Sequence, residues 1–337
     1  MKTSEELDQE LNQFQSTFGE LKDEIQKAIV GYDDLLTDTM VAIFSQGHVL
    51  LEGVPGLGKT FLVKIISEVL GLESGRVQCT PDLMPADILG TQIVNEDESG
   101  RRVLHFEKGP VFRNLLLVDE INRATPKTQA ALLEVMQEGR VTTGGESHLL
   151  PQPFFVLATQ NPMEMEGTYP LPEAQLDRFM FKIHVPFPSL EALVEISKRT
   201  TGFEAQHLAK KMSGQDLINF QETLTHVPVA DPVTSYAAQL ILATHPETPA
   251  SSEKIKRYVS YGSSPRGLQA LIRGARVHAV LNGRTAVSVD DVRRVAKVAL
   301  RHRIILNFEG EAESINVDSL IDEISGNVPT PAKGAAA

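Results

Sequence analysis

The sequence predicts an α/β fold, a parallel five-stranded sheet with helices on both faces, followed by a helical second domain. Three observations carry this. Five short apolar runs, His48–Glu52, Arg76–Cys79, Leu115–Val118, Phe154–Ala158 and Phe179–Val185, alternate with helical stretches. Strands covered on both faces read as continuous apolar runs. After Pro186 and Pro188 the strand signals stop, and helical ones run from Leu190 to about Arg303. A glycine-rich loop, Gly53-Val54-Pro55-Gly56-Leu57-Gly58-Lys59-Thr60, joins the first run to a helix-compatible segment, Phe61 to Leu70.

The elements follow in order. Residues 3 to 29 read as a helix, with Leu7, Leu11, Phe14, Phe18, Leu21 and Ile25 spaced by alternating fours and threes. That stripe packs on its own domain or on a neighbouring subunit. Two hairpins are expected inside the α/β region. Gln92–Val94 and Val103–Phe106 flank a polar turn, Asn95 to Arg102; Arg140–Thr143 and Leu149–Phe154 flank Gly144-Gly145. Ser288-Val289-Asp290-Asp291 reads as a capping box before the apolar face Val292, Val295, Ala296, Ala299 and Leu300. The polar side of that helix, with Arg293, Arg294, Lys297, Arg301, His302 and Arg303, reads as a solvated or subunit-contacting face. Beyond Phe308 an acidic stretch leads to a short helix marked by Val317, Leu320, Ile321 and Ile324, and NVPTPAKGAAA reads as a disordered tail. The expected divisions are an N-terminal helix (1–28), an α/β core (29–187), a helical domain (188–307) and an acidic C-terminal segment (308–337).

Composition narrows the function. The 337 residues include 32 Lys and Arg against 44 Asp and Glu, a net charge of −12. Phosphate contacts need a basic face, so nucleic acid is not an expected partner. A single cysteine makes no internal disulfide and no multi-cysteine zinc site. Cys79, on a strand, is expected to be buried, and His105 and His184 to be ordinary polar side chains. No apolar run approaches the roughly 20 residues that cross a bilayer, and the acidic MKTSEELDQELNQ is no signal peptide. Cytoplasmic residence is expected. Neither H-E-x-x-H nor G-x-S-x-G occurs.

Gly53 to Thr60 matches G-x-x-x-x-G-K-[ST] in its strand–loop–helix context. Glycines let successive backbone N–H groups point at phosphates beside a helix N-terminus. Lys59 is then expected to neutralise β/γ-phosphate oxygens, and the Thr60 hydroxyl to ligate Mg²⁺. Leu115-Leu116-Leu117-Val118-Asp119-Glu120 is a buried strand ending in two acids, where open α/β sheets bind ligands. Asp119 is the expected second Mg²⁺ residue, and Glu120 the one that polarises an attacking water. No N/T-K-x-D guanine motif occurs, so adenine is the expected base.

With these residues in view, the chain resembles the AAA+ ATPases and, within them, the MoxR family, over roughly residues 25 to 305. The matching pieces are Ile29-Val30-Gly31, the stretch from Val77 through Asp82 and Pro85 to Asp87, Leu117 through Arg123, Asn161-Pro162, Leu176-Asp177-Arg178-Phe179 and Ser264-Pro265-Arg266. Cys79, Met84 and Ala86 depart from the commonest family wording at positions not expected to touch nucleotide. The resemblance implies a three-layer αβα P-loop domain with strand order 5-1-4-3-2, an all-helical lid, and ATP with Mg²⁺. Val30, Gly31 and Phe61 would join the phosphate loop in holding nucleotide. Asn161 resembles sensor 1, which positions water; Arg178 resembles the arginine finger, which serves a neighbouring subunit. Arg266 resembles the sensor 2 arginine, in cis or in trans, and Arg123 a further interface arginine. The implied assembly is a homo-oligomeric ring, a hexamer in this class. The implied task is chaperone-like maturation or activation of a client complex, with a von Willebrand factor A-domain protein on another chain, since no D-x-S-x-S motif occurs here. The hairpin tips would line the pore or touch client; deleting them should uncouple remodelling and spare basal ATPase activity. Two rival readings are a DNA motor or loader, which salt-sensitive, DNA-stimulated hydrolysis would reveal, and a nucleotide-gated assembly scaffold.

Overall fold

The computed structural model describes residues 4–54, 56–96, 102–162, 167–200 and 208–330. Pro55, the tip of the first hairpin and the end of the tail, 331–337, lie outside the described residues.

The α/β region opens with α1 (Ser4–Ala28), α2 (Asp33–Phe44), β1 (Val49–Glu52), α3 (Lys59–Leu70), β2 (Ser74–Gln78) and α4 (Pro85–Leu89). The β3–β4 hairpin (Gly90–Glu96, Arg102–Lys108), β5 (Leu115–Asp119), α5 (Pro126–Glu138) and the β6–β7 hairpin (Arg140–Thr143, Glu146–Leu149) follow. β8 (Phe155–Gln160), α6 (Glu173–Leu176) and β9 (Phe181–His184) complete it. The sheet runs β2-β5-β8-β1-β9 and is parallel throughout. Counted by the five apolar runs and read from the β9 edge, that is 5-1-4-3-2. The strand period of two divides the core. Leu115 and Leu117 of β5 join one apolar cluster, while Leu116 and Val118 join the other, with the α5 residues Leu132 and Leu133.

The second region comprises α7 (Leu190–Thr200), α8 (Gly214–Thr225), α9 (Asp231–Ala243), α10 (Glu253–Tyr258), β10 (Val259–Tyr261), α11 (Pro265–Leu281) and α12 (Val289–Leu300). β11 (Ile305–Leu306), α13 (Phe308–Ala312) and α14 (Val317–Asn327) close it. It is helical, with one addition to the expectation: β10 and β11 pair antiparallel at Val259↔Leu306 and Tyr261↔Ile305. A ribbon of two pairs is too short to leave a periodic signal. The expected division at 307 falls between β11 and α13, and packing crosses it, with α14 lying on α12 and α9.

α1 packs on its own chain, against α3 in the first region and α8 and α11 in the second. Phe14 meets Phe18, Phe44 and Phe220 edge-on at 4.9–5.9 Å between centroids. The second hairpin strand is Glu146–Leu149 rather than Leu149–Phe154, because Gly144 and Gly145, both at positive φ, make a two-residue turn. The two hairpins touch: Phe106 stacks on His148 at 4.2 Å.

The basic cluster on α12 divides: Arg293, Arg294 and Lys297 stay on a solvated face, whereas Arg301, His302 and Arg303 turn inward. Acids on α14 and α2 pair with it: Arg301 with Asp318 and Lys297 with Asp322, each at 2.7 Å, and Arg294 with Asp34 and Asp38 at 3.2 Å. His302 and Arg303 are buried.

Candidate active site

The C-terminal ends of β1 and β8 lie level, Glu52 opposite Gln160, and so do those of β2 and β5, Gln78 opposite Asp119. Gly53 leaves β1 and donates its N–H to the Gln160 carbonyl at 3.2 Å. A Cβ there would lie 2.9 Å from Val185 Cβ, so only glycine passes this crossing. Gly56 and Gly58 take positive φ, +82° and +74°, turning the loop into α3, which begins at Lys59. Lys59 Nζ donates to the Gly53 carbonyl at 2.6 Å. Burial lowers its pKa, against the pull of Asp119 and Glu120. Val54 is half-buried in the loop.

Thr60 Oγ1 donates to Asp119 Oδ2 at 3.3 Å, so hydroxyl and carboxylate converge. Asp119 also accepts from Thr159 Oγ1 at 3.3 Å and from Arg76 Nε at 2.7 Å. Glu120 turns sharply off the strand with φ +55°. Its N–H donates to Thr159 Oγ1 at 2.9 Å, and its Oε2 accepts from Gln78 at 2.9 Å and Arg123 at 3.1 Å. Asn161 is buried just past β8, beside this edge. Cys79 is buried, and burial with the nearby Asp119 and Glu120 charges pushes its thiol up to about 12. That suits packing, not reactivity.

An apolar cleft of about 420 Å³ adjoins the phosphate loop, lined by Val30, Tyr32, Leu57, Phe61, Phe187 and Leu193 together with Gly56, Gly58 and Lys59. Its size and lining suit a planar base. Gly31, at φ +78°, lets the 29–32 segment approach α7, where a Cβ would lie 2.6 Å from Ala192 Cβ.

Arg178 and Arg266 are not in this cleft. Together they line a second one of about 190 Å³, with Arg273, His48, Asp177 and Arg303. The two clefts share no lining residue. Arg178 makes no ion pair among the described residues; Asp177 instead pairs with Arg303 at 2.8 Å and Arg266 at 3.9 Å. Ser264 caps α11, accepting the Arg266 N–H at 3.1 Å, and Pro265 occupies the first turn. His48 is fixed as the neutral Nε2–H tautomer: Nε2 donates to the Met136 carbonyl and Nδ1 accepts from Val156 N–H, each at 3.0 Å. Burial lowers its pKa to about 4.

Sequence reasoning missed Arg76 and Gln78 beside the two acids, although their two-residue spacing at a strand end puts them on one face. It missed Arg273, two helical turns after Arg266. Nothing in the local sequence marks Arg303.

A family model described as the ATPase family associated with various cellular activities (AAA) matches residues 48–181, and one for the AAA lid domain matches 252–324. Chaperone MoxR1 of Mycobacterium tuberculosis is 42% identical over 308 residues, covering 91% of this chain and 81% of that one. The chain belongs to the MoxR family of AAA+ ATPases. Protein MoxR of Methylorubrum extorquens is 32% identical over 327 residues, covering 91% and 93% of the two chains. A crystal structure of a candidate ATPase from Cytophaga hutchinsonii matches with a TM-score of 0.89 and 39% identity, over 96% of this chain and 97% of that one. This MoxR-family protein is therefore an ATPase with a nucleotide-binding core and a helical lid. Among its described residues no helix is long and apolar enough to cross a membrane.

Proposed function

We propose that the chain hydrolyses ATP only at the junction of two protomers in a ring, and that the resulting motion remodels or activates a client complex. The observation that carries this is the separation of the phosphate loop and its acids from the cleft of Arg178 and Arg266. Arg178, Arg266 and Arg273 line a cleft whose carboxylate, Asp177, is already paired with a fourth arginine, Arg303. Such a cleft suits an anion presented from outside, and a neighbour's triphosphate is one. Arg266 accordingly acts in trans.

In this reading adenine enters the apolar cleft, and the N–H groups of the Gly53–Thr60 loop and Lys59 hold the phosphates. Thr60 and Asp119 present two hard oxygens 3.3 Å apart, a fit to one edge of a Mg²⁺ shell. Thr60 and Asp119 would hold the Mg²⁺, which would supply positive charge against the phosphates. Glu120 and Asn161 orient the water for in-line attack on the γ-phosphorus; Glu120 Oε2 takes its proton as the bond to the β,γ-bridging oxygen breaks, leaving ADP and phosphate. Arg178 and Arg266 of the next protomer stabilise charge developing on the γ-phosphate. Release of phosphate then loosens the junction.

The chaperone-like role is supported by family membership and by the name carried by the M. tuberculosis relative. A hexameric ring and a von Willebrand factor A-domain partner follow from the same resemblance. Turnover per protomer should rise with protein concentration and plateau once rings form. A dilute monomer at full speed would overturn the reading.

A further inference from the structure

We propose that Asp177 is a positioning residue that locks Arg178 of the core and Arg266 of the lid into one unit. This deepens the reading above and rests on it, since the two arginines matter only if they serve a neighbouring site.

Asp177 directly precedes Arg178, and its carboxylate is reached by two lid segments. Arg303, just past α12, donates from Nε to Oδ1 at 2.8 Å. Ser264 Oγ stands 2.9 Å from Oδ1 and 2.8 Å from Oδ2. A hydroxyl has one proton, which goes to the carboxylate, leaving lone pairs to accept the Arg266 N–H. The carboxylate charge thus lies at the positive end of α11, whose second residue is Arg266.

Arg303 does more than neutralise that charge. Its Nη2 donates to the backbone carbonyls of Asp177 at 3.0 Å and Phe179 at 2.7 Å, and its Nη1 to those of Met180 at 3.1 Å and Ala299. One guanidinium, 2% exposed, therefore staples the segment that carries Arg178. His302 Nε2 adds a 3.0 Å bond to the Phe179 carbonyl. Without Asp177 the buried guanidinium would keep an uncompensated charge. Arg178 and Arg266 come from different domains, yet they must reach the same phosphate. Catalysis tolerates little misplacement, about 1 Å costing on the order of 100-fold.

Asp177→Asn keeps the shape and removes the charge. Ser264→Ala removes the α11 cap together with its bond to Asp177 and leaves the other lid contact, the Arg303 pair. In the full chain both should leave the ATP dissociation constant within about twofold and lower kcat, by roughly 10–100-fold for Asp177→Asn and less for Ser264→Ala. Each is then mixed with Glu120→Gln, whose arginine face is intact. Turnover should recover above either variant alone, because an Asp177→Asn phosphate loop would meet sound arginines. An Arg178→Ala mixture with Glu120→Gln runs alongside. Recovery there without recovery for Asp177→Asn and Ser264→Ala overturns the positioning role and leaves the junction reading standing. No recovery with Arg178→Ala overturns both. If Asp177→Asn fails to fold, the Ser264→Ala mixture decides. ATP affinity falling in step with kcat would mark general damage and overturn the proposal.

Discussion

Lys59, Glu120 and Arg178 sit in three different environments, and their replacements should fail in three different ways. Lys59 lies inside the phosphate loop, on the Gly53 carbonyl. Lys59→Ala removes a charge-assisted donor, and nucleotide affinity should fall by about 10–100-fold in an equilibrium binding assay. Glu120 faces the edge through Gln78 and Arg123. Glu120→Gln should retain ATP and lose about 10²–10⁴-fold in turnover. Arg178 lines the other cleft. Arg178→Ala should bind ATP normally and lose about 10³–10⁵-fold. Normal turnover in that variant would remove Arg178 from the finger role.

At the scale of elements, α1 links the two regions. Its apolar stripe, from Leu11 to Ile25, belongs to the cluster that also holds Leu51 and Phe181 of the sheet and Leu271 and Val295 of the lid. Phe14 is fully buried there. Phe14→Ala should cost about 3–5 kcal/mol, read as a lowered denaturant midpoint. Its effect should reach both regions, and separate melting of core and lid in that variant would contradict the single cluster. α14 has a comparable place on the lid, with Leu320, Ile321 and Ile324 buried against it.

The whole molecule carries buried neutral histidines. His48 and His278 are lowered to about 4, and His302 well below its ordinary range, first of all by burial. Unfolded, these rings take a proton near pH 6.5. The unfolded state therefore binds more protons just below that pH, so their contribution is whole above 6.5 and declines as pH falls towards 4. Each ring contributes about 1.4 kcal/mol per pH unit inside its window. Asp38, raised by burial to about 6, acts oppositely between 6 and 3.8 and offsets one ring. Glu52, whose bonds to His184 and Lys182 outweigh its burial and hold it at about 2, adds a further loss below 4.5. The melting temperature should therefore be highest near neutrality and drop between pH 6.5 and 4.5. A flat profile there would contradict the buried neutral rings.

Local signals determined much of this protein. Apolar runs set the strands, the Gly53–Thr60 spacing set the phosphate loop, and Asp119 and Glu120 closed a strand where ligands bind. These features depend on neighbours within a few residues, so one stretch of chain displays them. Tertiary structure alone decided the rest. Arg303 reads as one more surface cation until Asp177, 126 positions earlier, folds against it. Likewise Arg301 reads as part of the solvated α12 face until α14 brings Asp318 against it. That Arg178 and Arg266 share one cleft, apart from their own phosphate loop, depends on how the lid docks. The charge of a side chain is written in the sequence; its partner is chosen by long-range packing, because burial makes an unpaired charge too costly to leave.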